Sequence, residues 1–319
     1  TINGLTYPSA GPISNRNLII NGAMQVAQRS TSDTGVTNGS TGYRICDRWR
    51  FSEHGSPSAV FTLSQSTEAP DDFKNSYKWD VTTAQSSLDA DDVVYFETKI
   101  EGQNVRQLAY GTSSAKSFTL SFYVRSSITG TFVVWFYNPN GNFACTHTYT
   151  VNAADTWERK SITVAGDTSN SLNNDNTTGL QFRFILGAGT DYTSGTASTT
   201  WASSSMTNAN RYVGQTVNIA NSTSDEWLIT GVQLEVGTRA TPFEHRSYGD
   251  ELARCQRYYY KLIADTGDTF ANGYNQNSTT TRNILHFPVT MRVAPTALEQ
   301  TGTAANYRIY HGTTETACS

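Results

Sequence analysis

Apolar and polar residues alternate along most of this chain with the two-residue period of half-buried strands, and helical spacing is confined to short stretches. The clearest alternation predicts strands over 118–125, 130–137, 145–151, 158–164 and 180–186. Weaker alternation predicts others over 18–28, 43–52, 59–64, 78–82 and 93–100. Asn138, Pro139, Asn140 and Gly141 form a turn between two of the strong strands. Val105 and Leu108, three apart, mark a brief helical turn over 102–108. The Ser-, Thr- and Gly-rich runs 30–42 and 192–218 read as loops, the second anchored by Trp201. Trp227, Ile229, Val232, Leu234 and Val236 form a closing strand whose alternation breaks at Gly231, the position for a bulge.

Gly237 ends that strand, Pro242 keeps the chain extended, and Ser247 caps a short helix carrying Asp250 and Glu251 in its first turn. Strands restart over 257–262, 283–287 and 307–310. In the run Tyr258, Tyr259, Tyr260 the middle ring is expected to face away, toward a hinge or another chain. The fold class that follows is all-β. It comprises an arm or linker over 1–14 and a large antiparallel β-sandwich (jelly roll) over 15–240. An extended segment with a short connecting helix over 241–256 leads to a smaller C-terminal β-domain over 257–319.

Composition narrows the function classes. Charged residues are 16% of the chain, below the ~25% usual for soluble domains, and Ser, Thr, Asn, Gln and Gly fill the gap. Aromatic residues at 12% and hydrophobic residues at 37% are enough to build cores, which excludes a disordered chain. A net charge of −4 with scattered Lys and Arg supplies no field for nucleic acid. No run approaches the ~20 apolar residues of a membrane span, so no membrane insertion is expected. Cys46, Cys145, Cys255 and Cys318 are too far apart for a zinc ribbon or redox pair, and read as free thiols, with Cys145 a buried hydrophobe.

Catalytic constellations are sparse. There is no G-x-S-x-G, and His54, His147, His245, His286 and His311 lie far apart. Metal-binding motifs are missing apart from Asp89, Asp91 and Asp92, which could gather calcium but more often make a solvated turn. Glu97, Glu101, Glu158, Asp225 and Glu226 leave a glycosidase pair open. The expectation is no enzyme, no catalytic residue, no metal and no cofactor. Sugar binding is the sharper reading, because a pyranose needs an aromatic plate beside planar hydrogen-bonding groups. Phe118, Leu120, Phe122 and Val124, then Phe132, Val134 and Phe136, then Leu180, Phe182, Phe184 and Leu186 form core faces. If these strands share one curved sheet, Tyr123, Arg125, Trp135, Tyr137, Gln181 and Arg183 line its other face as a sugar cradle. The competing reading, placed first, packs that face on a neighbouring subunit or another loop. Trp49, Trp79, Trp157, Trp201 and Trp227 read as core or rim.

Several blocks carry a family resemblance: NRNLIINGAMQVAQRS with CDRW downstream, EGQNVRQLAYGTSSAKSFTLSFYVRSSITGTF, TWERKSITVAGDT, and VQLEVGTRATPFEHRS followed by ELARCQRYYYK. In this order, over roughly 14–300, the set resembles a large family of tailed-bacteriophage virion proteins, of tail-fibre and head-fibre type. HFPVTMRVAPTALE resembles a strand pair of a C-terminal module in the same family. The resemblance implies a carbohydrate-binding-module-like jelly roll, a place on the virion exterior, other virion proteins as partners, a homotrimer, and a host cell-surface glycan as ligand. It implies a structural subunit for host adhesion. A capsid decoration or tail-assembly protein and a glycan-degrading spike are the alternatives.

Overall fold

The structure, a computed structural model, describes residues 12–263, 271–277, 280–297, 299, 308–311 and 314–317; the side chains of 275, 281 and the last two stretches are not described. Most of the expected arm over 1–14, and Cys318, lie outside these residues. The chain forms β1 (Ser32–Val36), β2 (Arg50–His54), β3 (Val60–Ser66), β4 (Ser76–Thr83), β5 (Val93–Glu101) and β6 (Phe118–Ser126). It continues with β7 (Gly130–Asn138), β8 (Phe143–Val151), β9 (Glu158–Val164), β10 (Thr178–Ala188) and β11 (Glu226–Val236). A six-stranded sheet runs β1-β3-β4-β11-β6-β9 and a five-stranded sheet runs β2-β5-β10-β7-β8, all pairs antiparallel. The architecture is a jelly-roll sandwich.

The core lies between the sheets and uses the inward residues that alternation selects. Phe118, Leu120, Phe122 and Val124 of β6, Phe132, Val134 and Phe136 of β7, and Leu180, Phe182, Phe184 and Leu186 of β10 are fully buried. Trp49 stacks on Phe96 at 4.8 Å, and Trp79 and Trp227 each meet Phe96 edge-on. The β11–β6 register slips between Thr230 and Gln233, at the expected bulge. Gly231 there has φ +62, and a Cβ would stand 2.6 Å from the Phe73 ring. Cys46, Cys145 and Cys255 are buried free thiols. Burial pushes the Cys46 and Cys255 thiols well above their usual range.

The expected strand over 18–28 is not one. Asn21 and Met24 take left-handed backbone, and much of the segment's hydrogen bonding comes from side chains. Asn17 Oδ1 accepts from Ile19 N at 2.9 Å and Leu234 N at 3.1 Å. Asn21 Oδ1 accepts from Val26 N, and its Nδ2 donates to Val26 O and Asp47 O, at 2.8–2.9 Å. Alternation alone does not distinguish such a segment from a strand. Conversely, β1 falls inside the expected loop 30–42, because only Val36 of this edge strand is buried.

The helix Tyr248–Gln256 starts as expected, Ser247 Oγ accepting from Asp250 N at 3.2 Å. It locks the same segment: Glu251 accepts from Asn21 N, and Arg246 donates to Ile19 O at 2.9 Å and to Asn17 O. The expected strand over 257–262 is absent, and the side chains of 257–260 instead dock one by one. Arg257 pairs with Glu101 and Tyr258 donates to it; Tyr259 lies under Arg29 at 3.5 Å; Tyr260 meets Phe287 edge-on. Tyr259 therefore packs against the sandwich, contrary to the strand-based expectation. Two hairpins follow, Asn272–Asn277 with Thr280–Ile284 and Arg308–His311 with Thr314–Ala317.

The Asp89–Asp92 stretch is a tied turn. Asp92 is fully buried and accepts from Ser56 N, Gln85 Nε2 and Asp89 N, whereas Asp89 and Asp91 are exposed. No group of three His, Cys, Asp or Glu able to hold a metal occurs among the described residues. Near Asp92, both Glu53 oxygens are shut from solvent with no hydrogen-bond partner among the described residues.

Two outcomes follow from these contacts. Asn21→Ala leaves Val26 N and Asp47 O unpaired, while Val26 O keeps its bond from Asp47 N, and is expected to cost about 2 kcal/mol or more in urea unfolding. A loss under about 1 kcal/mol would contradict the role given to Asn21. Burial, then the Asp92 charge, raises the Glu53 carboxyl from 4.5 to about 8. Between those values the unfolded chain is ionised while the folded chain keeps its proton, so stability falls as pH rises through the window and levels above it. Glu53→Gln should remove that slope and gain about 1–2 kcal/mol at the alkaline end, solvent screening limiting the gain. Identical pH–stability curves for the two proteins would refute this.

Candidate functional site

The outer face of the five-stranded sheet is built from two cross-strand rows. Arg50, Glu97, Arg183, Trp135 and Thr146 stand in register across β2, β5, β10, β7 and β8. Lys99, Gln181, Tyr137 and Ala144 form the next row. Antiparallel pairing puts every residue of a row on one side of the sheet. Four of the six expected site residues, Trp135, Tyr137, Gln181 and Arg183, are therefore neighbours.

Tyr123 and Arg125 are not among them. β6 belongs to the six-stranded sheet, so its outward residues stand on the opposite side of the sandwich. The chain crosses between sheets after Ser126, and β6 and β7 carry the same alternation while facing opposite ways. Arg125 is engaged there by Glu226, by Glu68 at 3.1 Å and by Asp155 at 3.2 Å. Tyr123 packs on Phe73 at 5.4 Å, beside Phe243 and His245. The grouping of all six residues on one sheet is thus corrected.

The loop that follows β10 folds over one end of the outer face. Tyr192, Met206 and Tyr212 pack there on Val93, Tyr95, Val133, Trp135, Ala144 and Ile185. Gln215 Oε1 accepts from Val133 N at 2.8 Å, Thr146 Oγ1 donates to Arg211 O at 2.9 Å, and Ala202 bridges Ala144. Trp201 anchors the loop, donating to Ala165 O at 2.9 Å and meeting Tyr110 edge-on. Trp135 is left 2% exposed, so the loop supplies the packing reading for this ring.

The other end is open at Tyr137 and Lys99, which are half-buried, whereas Gln181 between them is 6% exposed and Ala144 is covered by Ala202. Tyr137 is half-buried, its ring stacked on Trp135 at 5.3 Å and 15°, its hydroxyl donating to Asn142 Oδ1 at 3.2 Å. Beside it Glu97, 1% exposed, is the hub of a polar cluster. It accepts from Arg50 Nη1 at 2.6 Å, from Arg183 Nε at 3.0 Å and from Gln181 Nε2. The Arg183 guanidinium lies 4.4 Å from the Tyr95 ring centre and 5.0 Å from that of Trp135, and donates to the Tyr212 hydroxyl at 3.0 Å. The Tyr212 and Tyr95 hydroxyls, then Glu97, hold Arg183 in its charged form against burial. The open end thus offers one aromatic plate and fixed cations, with the Gln181 amide lying beneath, donated to Glu97. Arg50, Tyr95, Lys99 and Tyr212 belong to this site and were not foreseen. The alternation of Tyr95, Glu97 and Lys99 in VVYFETKI is the signal that placed three polar-tipped residues on one outward face.

The remaining catalytic candidates are engaged singly. Glu101 is held by Arg257, Tyr258 and Gln103, Glu158 by Lys160 and Asn152, and Glu226 by Lys78 and Arg125. Asp225 accepts from Ser222 N at 2.7 Å. His147 is largely buried, and burial lowers its pKa.

No protein-family model matches the chain, and no curated protein matches it. Solved structures similar to it include the enzymatically active domain of tailspike protein 4 of bacteriophage CBA120, with 12% identity over 69% of this chain and 21% of that one, TM-score 0.36. They also include a putative sugar binding protein from Bacteroides thetaiotaomicron, with 14% identity, 69% and 100% coverage and TM-score 0.36. A third, the module TmCBM61 in complex with β-1,4-galactotriose, has 10% identity, 70% and 99% coverage and TM-score 0.33. At such scores the likeness adds nothing to the jelly roll already read from the strands.

Proposed function

We propose that this chain is a non-catalytic structural subunit of a tailed-phage fibre or spike, whose sandwich grips host-surface carbohydrate at the open end of the five-stranded sheet. The observation that carries the reading is Tyr137: a half-buried ring braced by Trp135, beside the Gln181 amide and the Arg183 guanidinium. A sugar's C–H face packs on such a ring while its hydroxyls meet the planar donors. The plate is shallow, so single-site affinity is low and adhesion depends on many copies. The place on the virion exterior rests on the ordered sequence blocks.

The self-association in this proposal, as a homotrimer, draws support from the apolar residues beyond the helix. Ile263, Tyr274, Ile284, Leu285 and Phe287 are 43–75% exposed, and a two-stranded hairpin is marginal on its own. The same surface favours contact with other virion proteins as a second role.

Tyr137→Ala should weaken binding to the best ligand on a glycan array about tenfold, while Arg125→Ala on the opposite sheet leaves it unchanged. The reverse pattern would move the site to the other face. Analytical ultracentrifugation should find the full chain trimeric and the Ile284→Ser/Phe287→Ser variant monomeric, with the sandwich intact by circular dichroism. An unaltered trimer in that variant would contradict the hairpin contact.

A further inference from the structure

The charges around the open end do not balance. Arg50 and Arg183 share one carboxylate, Glu97, which also receives the Gln181 amide. Lys99 is the next outward residue along β5, between Glu97 and Glu101. Glu101 turns to the helix side, taking Arg257 Nε at 2.9 Å, Arg257 Nη2 at 3.0 Å and the Tyr258 hydroxyl. Neither carboxylate pairs with Lys99, and no ion pair or hydrogen bond of its ammonium occurs among the described residues.

Arg48 adds a further cation. It is 8% exposed, lies 3.5 Å from the Tyr258 ring centre and donates from Nη2 to Lys99 O, yet its Nε is buried without a partner. Arg48, Arg50, Lys99 and Arg183 thus gather in one region where the buried Glu97 pairs with Arg50 and Arg183 alone, in a chain whose net charge is −4. Burial lowers the Lys99 pKa; Arg50, Arg183 and Arg48 lower it further, and Glu97 opposes them. A half-buried cation among like charges is held at a cost that an incoming anion would offset.

We propose that the open end selects an acidic sugar: the ring lies on Tyr137 across Gln181, and its carboxylate meets Lys99. Lys99 and Tyr137 both pair with Gln181 on the strand between them, so they stand about 10 Å apart on one face, two strand spacings. That span accommodates one pyranose ring with a contact at each side. The guanidiniums of Arg50 and Arg183 are already fixed on Glu97, which leaves the flexible Lys99 as the group free to move onto the ligand. One ammonium matches one monoanion, as in a uronate. This inference rests on the carbohydrate reading and narrows it to a chemical class.

The test is calorimetric titration of the full chain with oligogalacturonate and with its methyl-esterified form, which share every ring and differ in charge. The acid should bind about tenfold tighter at low salt, the advantage shrinking as salt is added. Lys99→Gln should abolish the advantage without altering affinity for the ester, Lys99→Arg should keep it, and Tyr137→Ala should weaken both ligands. Equal affinity for the two in the native chain overturns the acid preference while carbohydrate binding stands. An advantage that survives Lys99→Gln places the charge recognition elsewhere and overturns the assignment. Binding of neither ligand overturns this inference, and the glycan array then decides the carbohydrate reading by itself.

Discussion

Buried asparagines hold this molecule's shape. Asn17 and Asn21 satisfy backbone groups of a core segment whose direct backbone bonds to β11 are few, Leu18 N to Leu234 O and Val232 N to Gly22 O. Glu251 on the short helix and Arg246 just before it complete the accounting. Each buried backbone group left unpaired would cost more than an average hydrogen bond contributes, so the segment has one workable arrangement. The segment and the helix stretch are tied together beside Trp49, whose indole nitrogen donates to Asn21 O at 2.9 Å.

That joint also explains which stretches of sequence stand out. NRNLIINGAMQVAQRS supplies Asn17 and Asn21; CDRW supplies Asp47, Arg48 and Trp49; EGQNV supplies Glu101; and the last blocks supply Gln233, Glu244, Arg246, Glu251, Arg257 and Tyr258. Far apart along the chain, they meet at one place, through Asn21–Asp47, Asn17–Glu244, Glu101–Arg257 and Arg48–Tyr258 contacts. The resemblance they carry is therefore a resemblance of scaffold. The joint borders the open end of the outer face, since Arg48 touches both Tyr258 and the Lys99 carbonyl. Anchoring the helix and presenting the cation row are two consequences of one cluster.

Much of the fold was legible because burial in a sandwich follows alternation. The inward faces of β6, β7 and β10, the bulge at Gly231 and the Ser247 cap are all local patterns with local causes. What stayed hidden was non-local. Segment 18–28 alternates like a strand but is satisfied by Asn side chains. The edge strand β1 buries one residue and so leaves almost no hydrophobic signal. The site was half legible for the same reason: Trp135, Tyr137, Gln181 and Arg183 were identified by alternation, but sheet membership depends on where the chain crosses over. Tyr123 and Arg125 have the right pattern on the wrong sheet. Trp135 could not be recognised as covered until Tyr212 and the rest of its loop were placed.

The central claim is that ligands meet this chain at the uncovered end of the five-stranded sheet. Its most direct test is chemical-shift mapping of the full chain titrated with a retained glycan. The account predicts that the Tyr137 ring, the Gln181 side-chain amide and Lys99 respond first, with Tyr123, Phe243 and His245 unmoved. Primary shifts at Tyr123, Phe243 and His245, on the opposite sheet, would contradict it.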